Sequence, residues 1–388
     1  MSAPHKLIIS AGPHVRYDTP MNIELGDAAK GQTQAKLTES DTGRAMACQL
    51  DGTRLAFVLP GLGAREERRL NVEFGAEGSR HGGVKLTDGG EKGVAIEVSG
   101  KPFTTYRYLP KGEFPIKARP FFYPLLGPGG IGMTRNYPNR TDVPGEQHDH
   151  PHHRGLWVAF GDVNGVDNWS EEKNHGYQTH QKFTELVSGP VFGRFTELLH
   201  WESSERKKVC EETRSLTVWN LPQDTRIADL SVAFKASEGA LKFGDTKEGG
   251  IVSIRVPTSM DGNKGGAIEN SAGGVGEAET WGKSSHWVDY HGPVEGHHLG
   301  VALLDHPFNL RHPTPWHVRD YGLFAANPFG HSFYKAGLLQ NGEHTVAAGE
   351  TLAFRYRIYL HRGDARRADV ASRWSDYAFP PLVKADEK

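Results

Sequence analysis

A chain of 388 residues with 37% hydrophobic and 24% charged residues can bury a sizeable core and is not broadly disordered. A formal net charge of −2, with no Lys/Arg block, excludes the basic stripe that tracks nucleic-acid phosphates. The two cysteines, Cys48 and Cys210, lie far apart, which excludes a CxxC redox pair, a thiolate zinc site and a disulfide framework.

The opening segment has a short aliphatic run, Leu7-Ile8-Ile9, too brief for a signal-peptide core, and no later stretch approaches the ~18 apolar residues of a membrane span. A cytoplasmic protein with no membrane or nucleic-acid partner is therefore expected. Short strands are predicted over 54–59, 70–74, 94–98 and 104–108, with Asp51-Gly52 and Asp88-Gly89-Gly90 as turns between some of them. A soft boundary near 109–112 suggests an N-terminal set of strands or small β domain over 1–110, and a main β-sandwich over 111–388 that carries the site.

Beyond that boundary, strands are predicted over 216–219, 229–235, 251–256 and 299–304. Near the C-terminus, Leu352, Phe354, Tyr356, Ile358 and Leu360 alternate with Ala353, Arg355, Arg357 and Tyr359, the period-2 pattern of a strand with one dry face. Helical periodicity is confined to Val370, Trp374, Tyr377 and Ala378, with Asp364 as a candidate N-cap and Pro380-Pro381 as a stop. The glycine-rich stretch 265–276 lacks the strand–loop–helix setting of a phosphate cradle and reads as a flexible loop, so no nucleotide cofactor is expected. The fold class is mainly β: a large antiparallel sandwich with a short C-terminal helix.

Four polar clusters carry candidate chemistry. The first, 146–154, holds His148, His150, His152 and His153 beside Glu146, Asp149 and Arg154. Imidazoles at this density suit acid–base work or a divalent metal (Zn, Mn, Ni or Ca), for which His150, His152 and His317 are the candidate ligands. The second, 161–169, offers Asp162, Asn164, Asp167 and Trp169, groups that bond sugar hydroxyls or stack on a ring. The third is the turn holding Lys247 and Glu248. The fourth, 305–320, reads as a proline-stiffened loop presenting Arg311, Trp316, His317 and Arg319. His152, His153, Glu248 and His317 are the candidate catalytic groups. Arg154, Asp162, Asn164, Asp167, Trp169, Lys247, Arg311, Trp316 and Arg319 are the candidate substrate contacts.

The runs Arg119-Pro120-Phe121-Phe122-Tyr123-Pro124-Leu125-Leu126-Gly127-Pro128-Gly129-Gly130, Asp149-His150-Pro151-His152-His153-Arg154-Gly155-Leu156-Trp157 and Gly161-Asp162-Val163-Asn164-Gly165-Val166-Asp167 resemble a soluble bacterial family labelled PmoA, or methane oxygenase. The 245–250 turn and Trp316-His317-Val318-Arg319 resemble it too, and the likeness covers roughly 100–365. It brings no assigned catalytic residues. The predicted strands are also similar to the large sugar-binding sandwiches of galactose-mutarotase type, an architectural likeness. The expectation is a carbohydrate-active enzyme, a metal-dependent lyase or hydrolase of glycosides or keto-glycosides. The alternatives are a metal-free mutarotase or epimerase, and a non-catalytic carbohydrate-binding protein. The oligomeric state is not legible.

Overall fold

The computed structural model describes residues 5–78, 82–222, 224–334 and 340–385. Two eight-stranded antiparallel sheets form the body. Sheet B runs, edge to edge, through Trp316–Arg319, Leu323–Ala326, Gly249–Arg255, Leu156–Phe160, Phe121–Leu125, Lys101–Arg107, Val94–Val98 and Val84–Asp88. Sheet C runs through Tyr177–Val187, Phe192–Glu202, Lys208–Trp219, Arg226–Lys235, Thr351–Arg362, His297–Asp305, Trp287–Val294 and Ala267–Asn270.

Alternation dictates the packing. Leu352, Phe354, Tyr356, Ile358 and Leu360 face the partner sheet, as do Leu230, Val232 and Phe234 of the neighbouring strand. The buried members of this set meet Val158, Phe160, Val252, Ile254 and Phe324 of sheet B in one apolar core. Interdigitated side chains of this kind are the main favourable term in a sandwich. The expected mainly β, antiparallel sandwich with a short C-terminal helix is the architecture observed.

Four sequence expectations need correction. The strands Val84–Asp88, Val94–Val98 and Lys101–Arg107 belong to sheet B, so the N-terminal unit ends before Val84 rather than near 110. That unit has its own core around Leu7, Ile9, Leu37, Leu55, Phe57 and Val72, and the strand Leu382–Ala385 returns to it. The stretch 265–276 contains the sheet C edge strand Ala267–Asn270 rather than being wholly a loop. Residues 316–319 form the edge strand of sheet B, because Trp316 and Val318 alternate inward despite the flanking prolines. Finally, helix Val370–Ala378 follows Asp369; the Asp364 carboxylate instead accepts the Arg367 N–H one turn earlier. Both cysteines are free and buried, and no described helix is long and apolar enough to cross a membrane.

Candidate functional site

The outer face of sheet B holds the chemistry. Register places His317 opposite Ala325, Ala325 opposite Ser253, Ser253 opposite Trp157 and Trp157 opposite Phe121, so these side chains form one row across five strands. The next row carries Arg319, Leu323 and Arg255. Period-2 alternation that drives Trp316, Val318, Val252, Ile254, Leu156 and Val158 into the core thus exports these groups to the other side. The loops 135–155 and 161–176, with Tyr321, lie over this face.

A buried charge network shapes the first loop. Arg255, fully buried, donates from Nη2 to both carboxylate oxygens of Asp149 at 2.9 Å and from Nη1 to His153 Nδ1 at 2.8 Å. Arg135, equally buried, bonds Asp149 at 3.1 Å and Asp261 at 2.5 Å. A guanidinium only donates. His153 Nδ1 must therefore be the acceptor, and the ring proton sits on Nε2. Burial first, then the neighbouring His152, Arg255, His150 and His317, holds His153 well below the ordinary histidine range. It is a neutral imidazole with a fixed tautomer, suited to donating a hydrogen bond from Nε2.

The segments distant in sequence converge here. Trp169 lies 5.4 Å from the His153 ring and 6.3 Å from the His317 ring, stacking on the latter at 23°. His317 is buried, and neither ring nitrogen has a well-formed hydrogen bond, although the Lys247 carbonyl faces the ring. Burial pushes His317 down to about 4, with Glu248 acting against the shift. Burial also pushes half-buried His152 down to about 4, with Arg119 adding to it. Glu248 stands at the rim, 47% exposed, and is bonded by Lys247 Nζ at 2.5 Å. Burial raises its pKa, but the hydrogen bond and charge of Lys247, with His317 and His152, win and hold it below the usual carboxylate value. Close by, the indole N–H groups of Trp157 and Trp169 and the amide of Asn168 are buried without partners among the described residues. Buried polar atoms are paired in the great majority of cases, so an unpaired group clustered with others calls for a functional account.

The sequence of residues 93–375 matches the model of DUF6807, a family of unknown function. The chain belongs to that family. The DUF6807 match spans both rows of the site and all four polar clusters. Among curated proteins none matches the chain. Solved structures similar to it include a glycosyl hydrolase family 38 protein from Enterococcus faecalis (11% identity, TM-score 0.43, covering 99% of this chain and 47% of that one). An α-mannosidase from the same organism is similar at 11% identity and TM-score 0.44, over 99% of this chain and 46% of its own. A putative aldose 1-epimerase from Escherichia coli K12 is similar at 12% identity and TM-score 0.27, over 72% of this chain and 96% of its own. The chain thus spans about half the length of the first two.

The remaining candidates divide into supports and site neighbours. Arg154 is committed to a bidentate pair with Glu171, both bonds 3.0 Å. Asp167 caps its own loop, accepting the Trp169 and Ser170 N–H groups and the Ser170 hydroxyl. Asp162 accepts the Gly165 N–H, and Asn164, at positive φ, ties this turn to Ala240 and Lys242. Arg311 is spent on the carbonyls of Pro328, Gly342 and Glu343, which makes it a loop clamp rather than a substrate contact. Trp316 is fully buried with its N–H on the Ser285 carbonyl, so it packs the core and cannot stack on a sugar. Arg319 pairs with Glu277 at 2.9 Å on the site's face.

The segment 146–154 is not extended: His150 sits at positive φ, bonds Asp149 at 2.9 Å and stacks on Tyr321 at 4.7 Å. With His150 turned to Tyr321, the expected ligand set of His150, His152 and His317 is not assembled, and among the described residues no three His, Cys, Asp or Glu side chains converge for a metal. Sequence reasoning missed Arg119, Arg135, Ser253, Arg255 and Tyr321. Arg119 holds the site's loops together by donating to the His152, Asn168 and Trp169 carbonyls at 2.9, 3.1 and 2.6 Å. The available signal was the run Ile251-Val252-Ser253-Ile254-Arg255-Val256, whose polar alternates mark a second, non-solvent face.

Proposed function

We propose that this protein is a metal-independent acid–base enzyme acting on a sugar or a closely related cyclic polyol, of mutarotase or epimerase type. The observation that carries the reading is the neutral pair His153 and His317, brought together through Trp169 beside the rim pair Glu248–Lys247. Acceptors (Glu248, His317) and neutral donors (His153 Nε2–H, the Trp157 and Trp169 indoles, the Asn168 amide) share one face. That mixture matches hydroxyl groups, which both donate and accept, better than it matches a phosphate or a purely anionic substrate.

In this reading Glu248, kept ionised by Lys247, takes the proton from the anomeric hydroxyl or from a carbon next to a carbonyl. His153 donates a hydrogen bond from Nε2 to the oxygen on which charge develops, as a preorganised neutral donor in a dry site. The Lys247 ammonium delivers a proton to that oxygen, and transfer across the 2.5 Å Lys247–Glu248 bond restores both groups. His317 faces Glu248 and offers a second acceptor.

Polarimetry or NMR of anomer interconversion over a panel of aldoses tests this. The expected result is catalysis that persists in EDTA and falls about 10²–10⁴-fold in kcat for Glu248→Gln. Catalysis abolished by chelation, or a Glu248→Gln variant with unchanged kcat, overturns it.

A further inference from the structure

A cleft of about 930 Å³ lies on the other side of the molecule, over the outer face of sheet C. Its floor follows from register. Ser215 sits opposite Ser231, and Ser231 opposite Arg355; in the next row Arg194, Thr217, Asp229 and Arg357 lie side by side. The alternate residues of these strands, Leu216, Leu230, Phe354 and Tyr356, fill the sandwich core. The outward set would be an ordinary solvated face if it were open. It is not: the N-terminal strand Thr19–Glu24 forms one wall, and Asp376, Tyr377, Pro380 and Pro381 form another.

Charge accounting within the cleft leaves a residue. Arg194 is neutralised by Asp51 and Glu185, Arg357 by Asp229, and Asp376 by Arg16. Arg355 is exposed to the cleft and, among the described residues, makes no ion pair. Thr217 likewise spends its hydroxyl on no described partner. His306 accepts the Phe308 N–H at Nδ1, which leaves Nε2 as a donor, and its ring packs edge-on to Tyr377 at 4.9 Å. One uncompensated guanidinium, the Thr217 hydroxyl, an imidazole donor and the Tyr377 ring thus share a space at the upper end of the ~300–1,000 Å³ typical of small-ligand sites.

We infer that this cleft is a second carbohydrate site, selective for an acidic oligosaccharide of the uronate class. Arg355 takes a carboxylate, Thr217 meets a ring hydroxyl, and the Tyr377 ring covers a C–H face. A single monosaccharide would fill the lower end of that volume range, so several linked rings are the fitting size. The cleft and the acid–base site lie on opposite outer faces of the sandwich, and each reading stands or falls without the other.

Calorimetric titration of the full chain with trigalacturonate, and separately with uncharged maltotriose, tests the inference. Saturable trigalacturonate binding is expected, about tenfold tighter than maltotriose. Arg355→Gln should weaken it about tenfold at an unchanged Tm, Thr217→Val should weaken it less, and His317→Ala should leave it as it is. The inference is overturned by absent saturable binding, by equal affinity in Arg355→Gln, or by loss on His317→Ala with retention on Arg355→Gln.

Discussion

Asp149→Asn isolates the charge network that fixes His153. The side chain keeps its shape and one acceptor oxygen but loses the negative charge shared by two fully buried guanidiniums, Arg135 and Arg255. Removing one partner of a buried ion pair costs about 3–5 kcal/mol. Two features discount that figure: Asp149 is 33% exposed, and Arg135 keeps Asp261. A loss of about 2–3 kcal/mol is expected, a Tm decrease of roughly 2–4 °C at ~1.2 °C per kcal/mol for a chain of 388 residues. The pH dependence has a definite sign. Burial raises the Asp149 pKa, but the charge and hydrogen bond of Arg255 dominate and depress it. Its contribution is therefore present above the unfolded value of about 3.9 and is lost as pH falls below that toward the folded value. Thermal unfolding of both proteins between pH 7 and pH 3 measures this, with the Tm difference shrinking in the acid window. A Tm within about 1 °C of wild type at pH 7, or a difference that grows on acidification, would refute the reasoning.

Further expectations concern separate parts of the structure. The pH profile of kcat/KM should stay flat through neutrality and fall in acid near pH 4, because burial pushes both His317 and His152 to about that value. An acid limb at the ordinary histidine value of about 6.5 would show that both rings are solvated. His153→Phe should keep the stacking on Trp157 while removing the Nε2 donor, lowering kcat about 10²-fold with a Tm change of a few degrees at most. Equal kcat would remove His153 from the site. Arg119→Lys should forfeit at least two of three carbonyl contacts and destabilise the loops, read as faster amide exchange at His152 and Trp169. Inside the sandwich, Glu212→Gln should cost about 3–5 kcal/mol, since Arg214, fully buried and bonded to Glu212 at 2.6 Å, loses its counter-charge. A chemical-denaturation midpoint that does not move would argue against an ionised pair there.

The legible part of the fold was the part written in period 2. The strand Arg54–Leu59 and the strand Val94–Val98 emerge at their observed bounds, and the alternation around Phe354 assigns the dry face correctly. What escaped were segments whose signal depends on a partner. Trp316–Arg319 looks like a loop because prolines flank it, yet pairing to Leu323–Ala326 makes it a strand. The same misreading turned Trp316 into a stacking platform, since a loop tryptophan is exposed and an edge-strand tryptophan alternates inward. At the site, the histidine-rich run and the His317 and Glu248 segments were visible as unusual polar density; His153 and His317 do meet across Trp169, and Glu248 acts on His317. Arg255 was not visible, because a single cation in an apolar strand is unremarkable until the fold buries it against Asp149 and His153. Residues that the polar density flagged wrongly, such as Arg311 and Asn164, are polar for the sake of turns and carbonyls nearby.

Whether Glu248 and His317 work as one unit is most directly measured by a double-mutant cycle on kcat/KM with the best aldose substrate. Groups that serve the same proton transfer are strongly non-additive. The account predicts that Glu248→Gln and His317→Asn each lower kcat/KM, and that the double variant is within about tenfold of the slower single one. Losses that multiply, or a His317→Asn variant as fast as wild type, would contradict it.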